Sequence, residues 1–146
     1  MEQTRVVTDQ LQIALAESYA LYLKTQNYHW NVTGHQFGSL HSLFEEQYTD
    51  LAEAIDEIAE RVRALGVKTP ASFQRFSDLS TIADGDEHSD ADMMVKSLAH
   101  DNTHIANFFK SVITLAQEAG DEATADLLIE RVRTHEKNAW MLNSSL

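Results

Sequence analysis

Four residues carry the first chemical signal: His29, His41, Asp56 and Glu60. The two histidines lie six positions either side of His35, in the stretch NYHWNVTGHQFGSLH, whose middle holds the loop formers Asn31, Thr33 and Gly34. A chain that reverses direction there brings both imidazoles level with each other. Glu45 follows His41 by one helical turn, and Asp56 and Glu60 form a second pair four residues apart, so each pair shares a helix face. Two imidazoles and several carboxylates make a mixed nitrogen–oxygen donor set suited to Fe(II), with zinc or manganese as other occupants. Each residue alone has an ordinary explanation. Carboxylates four apart are usually surface charges, here with Arg61 and Arg63 at hand, and a histidine near a helix end commonly caps or packs. Together, on a segment otherwise committed to apolar packing, they point to a metal.

The elements that must position them read as helices throughout. Leu11, Ala14, Leu15, Ser18 and Tyr22 form one stripe, and Leu40, Leu43, Phe44, Gln47, Leu51, Ala54, Ile55, Ile58, Val62 and Leu65 a longer one. Met94, Leu98, Ile105, Phe108, Val112, Leu115 and Ala119 mark a third, and Ala123, Leu127, Leu128, Val132, Ala139 and Leu142 a fourth. Gly34, Gly66, Gly85 and Gly120 fall where the period stops. Ser89-Asp90-Ala91-Asp92 has the pattern of a capping box with Asp for Glu, and Asp121 opens the last segment. The spacing predicts helices near 4–32, 38–65, 89–119 and 121–142, with no strand alternation anywhere. The connection from Gly66 to His88 is long and polar, with Phe73 and Phe76 placed for a small helix. It can run the length of a bundle, leaving the second and third helices pointing the same way. The expected fold is therefore all-α and one domain over 1–146: a four-helix bundle with one long crossover, the ferritin-like arrangement.

That geometry creates a difficulty for the four ligands. Fifteen residues separate His41 from Asp56, roughly 22 Å along a helix, so one chain cannot close a small site around both pairs. A second chain can, if its second helix runs antiparallel to the first about a two-fold axis near Thr49 and Asp50. The acid end of one chain then meets the histidine end of the other, twice per dimer.

Composition sets the surroundings. A chain of 146 residues buries one core. The absence of cysteine removes thiolate ligands and disulfides and fits a reducing compartment. The N-terminal MEQTRVVTDQ has no apolar leader pattern and no run reaches membrane-spanning length, which predicts a cytoplasmic protein. Asn31-Val32-Thr33 matches a glycosylation sequon but has no leader to make it meaningful. The net charge of −12 opposes general affinity for phosphate backbones and favours cationic partners, metal ions being the simplest.

The run NYHWNVTGHQFGSLHSLFEEQYTDLAEAIDEIAERVRALG resembles the signature of the Dps family, the mini-ferritins, and GDEATADLLIERVRTHEKNAWML extends the likeness across essentially the whole chain. The resemblance implies a shell of twelve subunits with iron-oxidising centres at the dimer interfaces. It implies His29 and His41 from one chain and Asp56 and Glu60 from its partner as iron ligands, Glu45 as an assisting acid, and Trp30 as the aromatic that intercepts oxidising equivalents. The implied reaction oxidises Fe(II), with hydrogen peroxide favoured over dioxygen, and stores ferric mineral inside the shell. Asp121, Asp126 and Glu130 match the acids of the three-fold pores through which iron enters; rings of carboxylates in a narrow passage attract divalent cations. A plainer reading gives Asp121 a capping role alone and leaves Glu130 to surface arginines.

Two other readings compete. His100 and His104, one turn apart with Asp101 between them, could bind zinc. The Glu-x-x-His pattern of larger di-iron ferritins does not occur. A protein that condenses DNA in the nucleoid is the alternative function, but the N-terminus offers only Arg5 against Glu2 and Asp9, and the C-terminus ends NSSL. The sequence thus disfavours direct duplex binding and leaves protection of DNA by removal of iron and peroxide.

Overall fold

The computed structural model describes residues 2–146. Five helices follow one another: α1 (Glu2–Asn31), α2 (Phe37–Ala64), the short α3 (Phe73–Leu79), α4 (Ala91–Glu118) and α5 (Glu122–Asn143). No strand occurs among the described residues.

Ion pairs and hydrogen bonds fix the directions. On α1 and α4, Glu17 faces His104 and Lys24 faces Asp101, so these helices are antiparallel. On α2 and α5, Arg61 faces Asp121 and Asp50 faces Arg131, again antiparallel. Since short loops reverse α1 into α2 and α4 into α5, α2 and α4 run the same way, and the segment between them crosses the bundle carrying α3. The predicted topology is the observed one.

The helix ends differ from expectation in one instructive place. The cap of α4 is Asp90, not Ser89: Asp90 is extended (φ −74°, ψ 169°) and accepts from the Met93 amide. A carboxylate at a helix N-terminus gains from the peptide dipoles as well as from the hydrogen bond, which favours Asp over the neighbouring Ser. Most of the predicted stripes face the core, while Ala123, placed in the last of them, is exposed. Leu11, Leu15, Leu40, Phe44, Ile58, Leu98, Ile105 and Leu128 are sealed from solvent, and removing a ring such as Phe44 would cost about 3–5 kcal/mol.

Two glycines hold the site region in shape. Gly34 takes φ 109°, a conformation that side chains resist, and its carbonyl accepts from the Phe37 amide to turn α1 into α2. Gly85 lets the crossover lie on α1: a Cβ there would stand 2.9 Å from the Tyr28 ring. Asn27 donates to the Gly85 carbonyl at the same crossing.

Candidate metal centre

His29 sits in the last turn of α1 and His41 near the start of α2, where the Gly34 turn brings them face to face. Their rings stack with centroids 3.8 Å apart and planes 16° from parallel. The Nδ1 of His29 is 2.7 Å from the His41 carbonyl oxygen, and the Nδ1 of His41 is 2.7 Å from the His29 carbonyl oxygen. A carbonyl only accepts, so both Nδ1 atoms carry the proton and donate. The last carbonyls of a helix lack intrahelical partners, and His29 supplies one of them. The reciprocal lock therefore satisfies a helix end and fixes both tautomers together. In the neutral ring this leaves the lone pair on Nε2, the form in which imidazole binds a metal, while the Nδ1–H bond holds the ring orientation.

The surroundings of the two rings are asymmetric. His29 is buried, and its Nε2 lies 3.7 Å from Glu45 Oε1, whose carboxylate is largely exposed. Phe37 stacks on His41 at 5.0 Å, and Tyr48 sets its ring edge-on to His29 at 5.2 Å. Neither aromatic was singled out in the sequence. The signal was available for Tyr48, since positions 41, 45 and 48 share one helix face.

Asp56 and Glu60 both face solvent farther along α2. Their sequence neighbours do not neutralise them. Arg61 donates to Asp121 Oδ1 and Thr124 Oγ1, and Arg63 to the Val67 carbonyl. Among the described residues, no cluster of three or more His, Asp or Glu side chains is close enough to hold an ion. One chain thus keeps the histidine pair and the acid pair apart, at opposite parts of α2.

Trp30 is 61% exposed beside an open groove of about 580 Å³ shared with Asp84 and Glu87. Of the acids matched to the pore, Asp126 and Glu130 are exposed. Asp121 is otherwise engaged: its carboxylate accepts from the Thr124 amide, the Thr124 hydroxyl and Arg61. Burial pushes its pKa up, but the Thr124 bonds and the Arg61 charge outweigh this and hold it below 3.8.

His100 and His104 do not form a site. His100 is exposed, Asp101 is buried with its carboxylate 2.8 Å from the Lys24 ammonium, and His104 turns to Glu17 at 3.3 Å and to Thr81 at 2.8 Å. His135, in contrast, is wholly buried between Asn102 and Arg131. No helix among the described residues is long and apolar enough to cross a membrane.

The pattern of the ferritin-like domain family matches residues 8–146. The DNA protection during starvation protein 2 of Bacillus anthracis is 38% identical over 140 residues, covering 96% of each chain. The crystal structure of a Dps protein from Bacillus brevis superposes with a TM-score of 0.96 at 35% identity, over 99% of this chain and 97% of that one. The Vibrio cholerae Dps structure, described as a member of a superfamily of ferritin-like diiron-carboxylate proteins, gives 0.94 at 34% identity, over 98% and 90%.

Proposed function

The chain belongs to the ferritin-like domain family, and within it to the Dps proteins, and on that premise we propose that it is an iron-oxidising mini-ferritin. Twelve protomers close a shell. At each two-fold interface, His29 and His41 of one protomer meet Asp56 and Glu60 of the partner subunit, with Glu45 assisting. Fe(II) is the substrate, oxidised by hydrogen peroxide in preference to dioxygen, and the ferric product is stored inside. Zinc or manganese can stand in for iron on the same donors. The protein works in the cytoplasm and protects DNA by removing iron and peroxide together.

The observation that supports this reading best is the divided donor set. The histidine pair is locked with both Nε2 lone pairs free, and the acid pair is exposed and unpaired by its arginines. The helix-end lock uses only the Nδ1 atoms and leaves both Nε2 atoms without a structural role, and neither pair can reach the other within one chain. With Nδ1 committed to the backbone, Nε2 is the atom each imidazole offers to a cation. The carboxylates supply negative charge to balance it. Trp30 and Phe37, on either side of the α1–α2 hairpin, are 61% and 45% exposed, and large apolar surface of that kind supports burial between copies.

Anaerobic titration with Fe(II), followed by addition of peroxide, tests the reading. Saturable Fe(II) binding and rapid appearance of ferric absorbance are expected from a single large closed species in sedimentation. A stable monomer that oxidises iron at the full rate would overturn the shared centre. Plasmid DNA at physiological salt should migrate unretarded beside the protein, yet be spared cleavage by iron and peroxide. Strong retardation that weakens steeply with salt would favour the nucleoid reading.

A further inference from the structure

A second group of metal donors lies away from the hairpin. Glu17 of α1 is only 1% exposed, yet among the described residues no lysine or arginine pairs with it. One oxygen accepts from the Thr81 amide and the other from the Thr81 hydroxyl at 2.8 Å, acceptor roles that belong to an ionised carboxylate. The one basic group within ion-pair reach is the His104 imidazole, its Nε2 3.3 Å from Glu17 Oε2. The same α1–α4 interface treats its other buried acid differently, giving Asp101 the Lys24 ammonium at 2.8 Å. Buried carboxylates are paired with a cation or ligate a metal. The Thr81 hydrogen bonds tie the crossover to α1 but bring no positive charge. Three elements thus place three donor atoms at one point, Glu17 Oε2, Thr81 Oγ1 and His104 Nε2, with edges of 2.8, 2.8 and 3.3 Å. Donors that share one ion at about 2.1 Å stand roughly 3.0–3.4 Å from each other, so the triangle is close to the size an ion requires. Thr81 and His104 are exposed, and Thr81 lines an open groove of about 390 Å³, so an ion in solution reaches the triangle and water completes its shell.

We propose that Glu17, Thr81 and His104 hold one divalent transition-metal ion, zinc foremost, and that the ion pins the crossover to α1 and α4. One imidazole, one carboxylate and one hydroxyl are a mixed nitrogen–oxygen set that suits zinc, with cobalt(II) as its coloured substitute. The proton positions allow it. The single Thr81 hydroxyl proton goes to Glu17, which only accepts, so Thr81 Oγ1 in turn accepts from His104 Nε2–H at 2.8 Å. The ion takes the place of the Nε2 proton, which the exposed ring takes up again at Nδ1 through solvent, while Thr81 keeps its proton and offers a lone pair. The carboxylate supplies the charge that holds the cation, and the cation supplies the charge that the buried carboxylate lacks. This site does not depend on iron oxidation. Glu17 precedes His29 by 12 residues on α1, roughly 18 Å along the helix.

The test uses the full chain carrying His29→Ala with His41→Ala, which removes the hairpin imidazoles as competitors. Cobalt(II) is titrated in while its visible absorbance is read, zinc is then added in competition, and amide exchange is followed across residues 80–83 with and without zinc. Saturable absorbance of a nitrogen–oxygen site is expected, bleached by zinc, together with several-fold slower exchange at Thr81 when zinc is bound. His104→Ala in the same background should weaken cobalt binding at least about tenfold and remove the effect of zinc on exchange. His104→Gln keeps a donor for Thr81, so it preserves a hydrogen-bonded latch but should lose the ion just as far. Thr81→Val should weaken binding a few-fold. Cobalt absorbance that persists undiminished in His104→Ala, or zinc binding that leaves exchange at Thr81 unchanged, would overturn the proposal. Iron oxidation by the native protein is measured separately, so either reading can fail while the other stands.

Discussion

Two histidine regions of this bundle use the same side chain in opposite ways. At the α1–α2 hairpin, His29 and His41 each spend one nitrogen on a backbone carbonyl and keep the other free. In the core, His135 spends both. The Asn102 side chain donates to the Leu98 carbonyl, so its oxygen faces His135 and accepts from Nδ1–H at 2.8 Å; Nε2 then accepts from Arg131 at 3.2 Å. Arg131 continues to Asp50 at 2.9 Å, completing a chain that ties α4, α5 and α2 together. Burial first, and then the Arg131 charge, push the His135 pKa well below 6.5, so it is neutral in the fold. What distinguishes a histidine open to a metal from one consumed by the fold is the supply of acceptors and donors around the second nitrogen. A helix end offers backbone for one nitrogen only; a polar core chain takes both.

The largest test of that distinction falls on the hairpin. His29→Ala with His41→Ala, or Asp56→Ala with Glu60→Ala, should leave assembly intact and lower iron oxidation by at least about a hundredfold, beyond what outer partners of a ligand typically carry. Dissociating both variants, mixing them equally and reassembling makes about half the dimers mixed. In each mixed dimer one centre loses all four ligands and the other regains all four, so roughly a quarter of the centres should recover. Co-assembly confirmed by mass without any return of activity would show that the halves never meet across an interface.

The converse holds for the core histidine. His135→Ala leaves Asn102 and Arg131 facing a buried gap and should cost about 2–4 kcal/mol, read as a fall of roughly 4–16 °C in the unfolding midpoint. Iron oxidation per folded protomer should survive, because no ligand is touched. If oxidation collapses at temperatures where helicity is intact, the two regions are coupled and the contrast between them breaks down.

The sequence was more open about the hairpin than about the core. Turn residues flanked by histidines, and carboxylates at helical spacing, are local patterns, so the facing histidines and the distance from them to the acid pair could be read from periodicity and length alone. The helices and crossover were legible for the same reason. The polar chain was not, because it joins Asp50, Asn102, Arg131 and His135 over long sequence separations, and each of them alone looks like a surface residue on a helix. The pairing of Lys24 with Asp101, both buried, was hidden likewise. Asp101 and His104 looked like one cluster because they are near in sequence. They diverge because residues three apart on α4 reach different partners on α1, Lys24 and Glu17.

Acid should sharpen the contrast further. The folded pKa of His135 lies well below its unfolded value of 6.5, so the unfolded chain binds the extra proton first. The stability that its neutrality contributes is complete above about pH 6.5 and declines as pH falls beneath it, by up to about 1.4 kcal/mol per pH unit, until the folded pKa is reached. Unfolding midpoints measured from pH 7 downward should fall in that window. His135→Gln should start lower and lose this part of the slope. An unchanged slope in the variant would mean that other groups set the acid sensitivity.

The smallest effect expected separates the three acids matched to a pore. Asp126 and Glu130 are exposed carboxylates, free to lend their charge to a passage between copies. Asp121 is bound by Thr124 and partly neutralised by Arg61, and caps α5. Asp126→Asn with Glu130→Gln should slow iron oxidation a few-fold at limiting Fe(II), with the deficit vanishing as Fe(II) is raised, because a weaker field lowers arrival and leaves the centre alone. Asp121→Asn should act differently. It removes a charge already balanced, so arrival changes little, while the weakened cap and the lost Arg61 pair cost about 1 kcal/mol of stability. The native Asp121 carboxylate, its pKa held below 3.8, contributes that stability above about pH 4 and loses it as pH falls through the lower folded value. Initial rates at low Fe(II) that drop as far in Asp121→Asn as in the double variant would place Asp121 in the passage after all, with its Arg61 bond giving way when copies assemble.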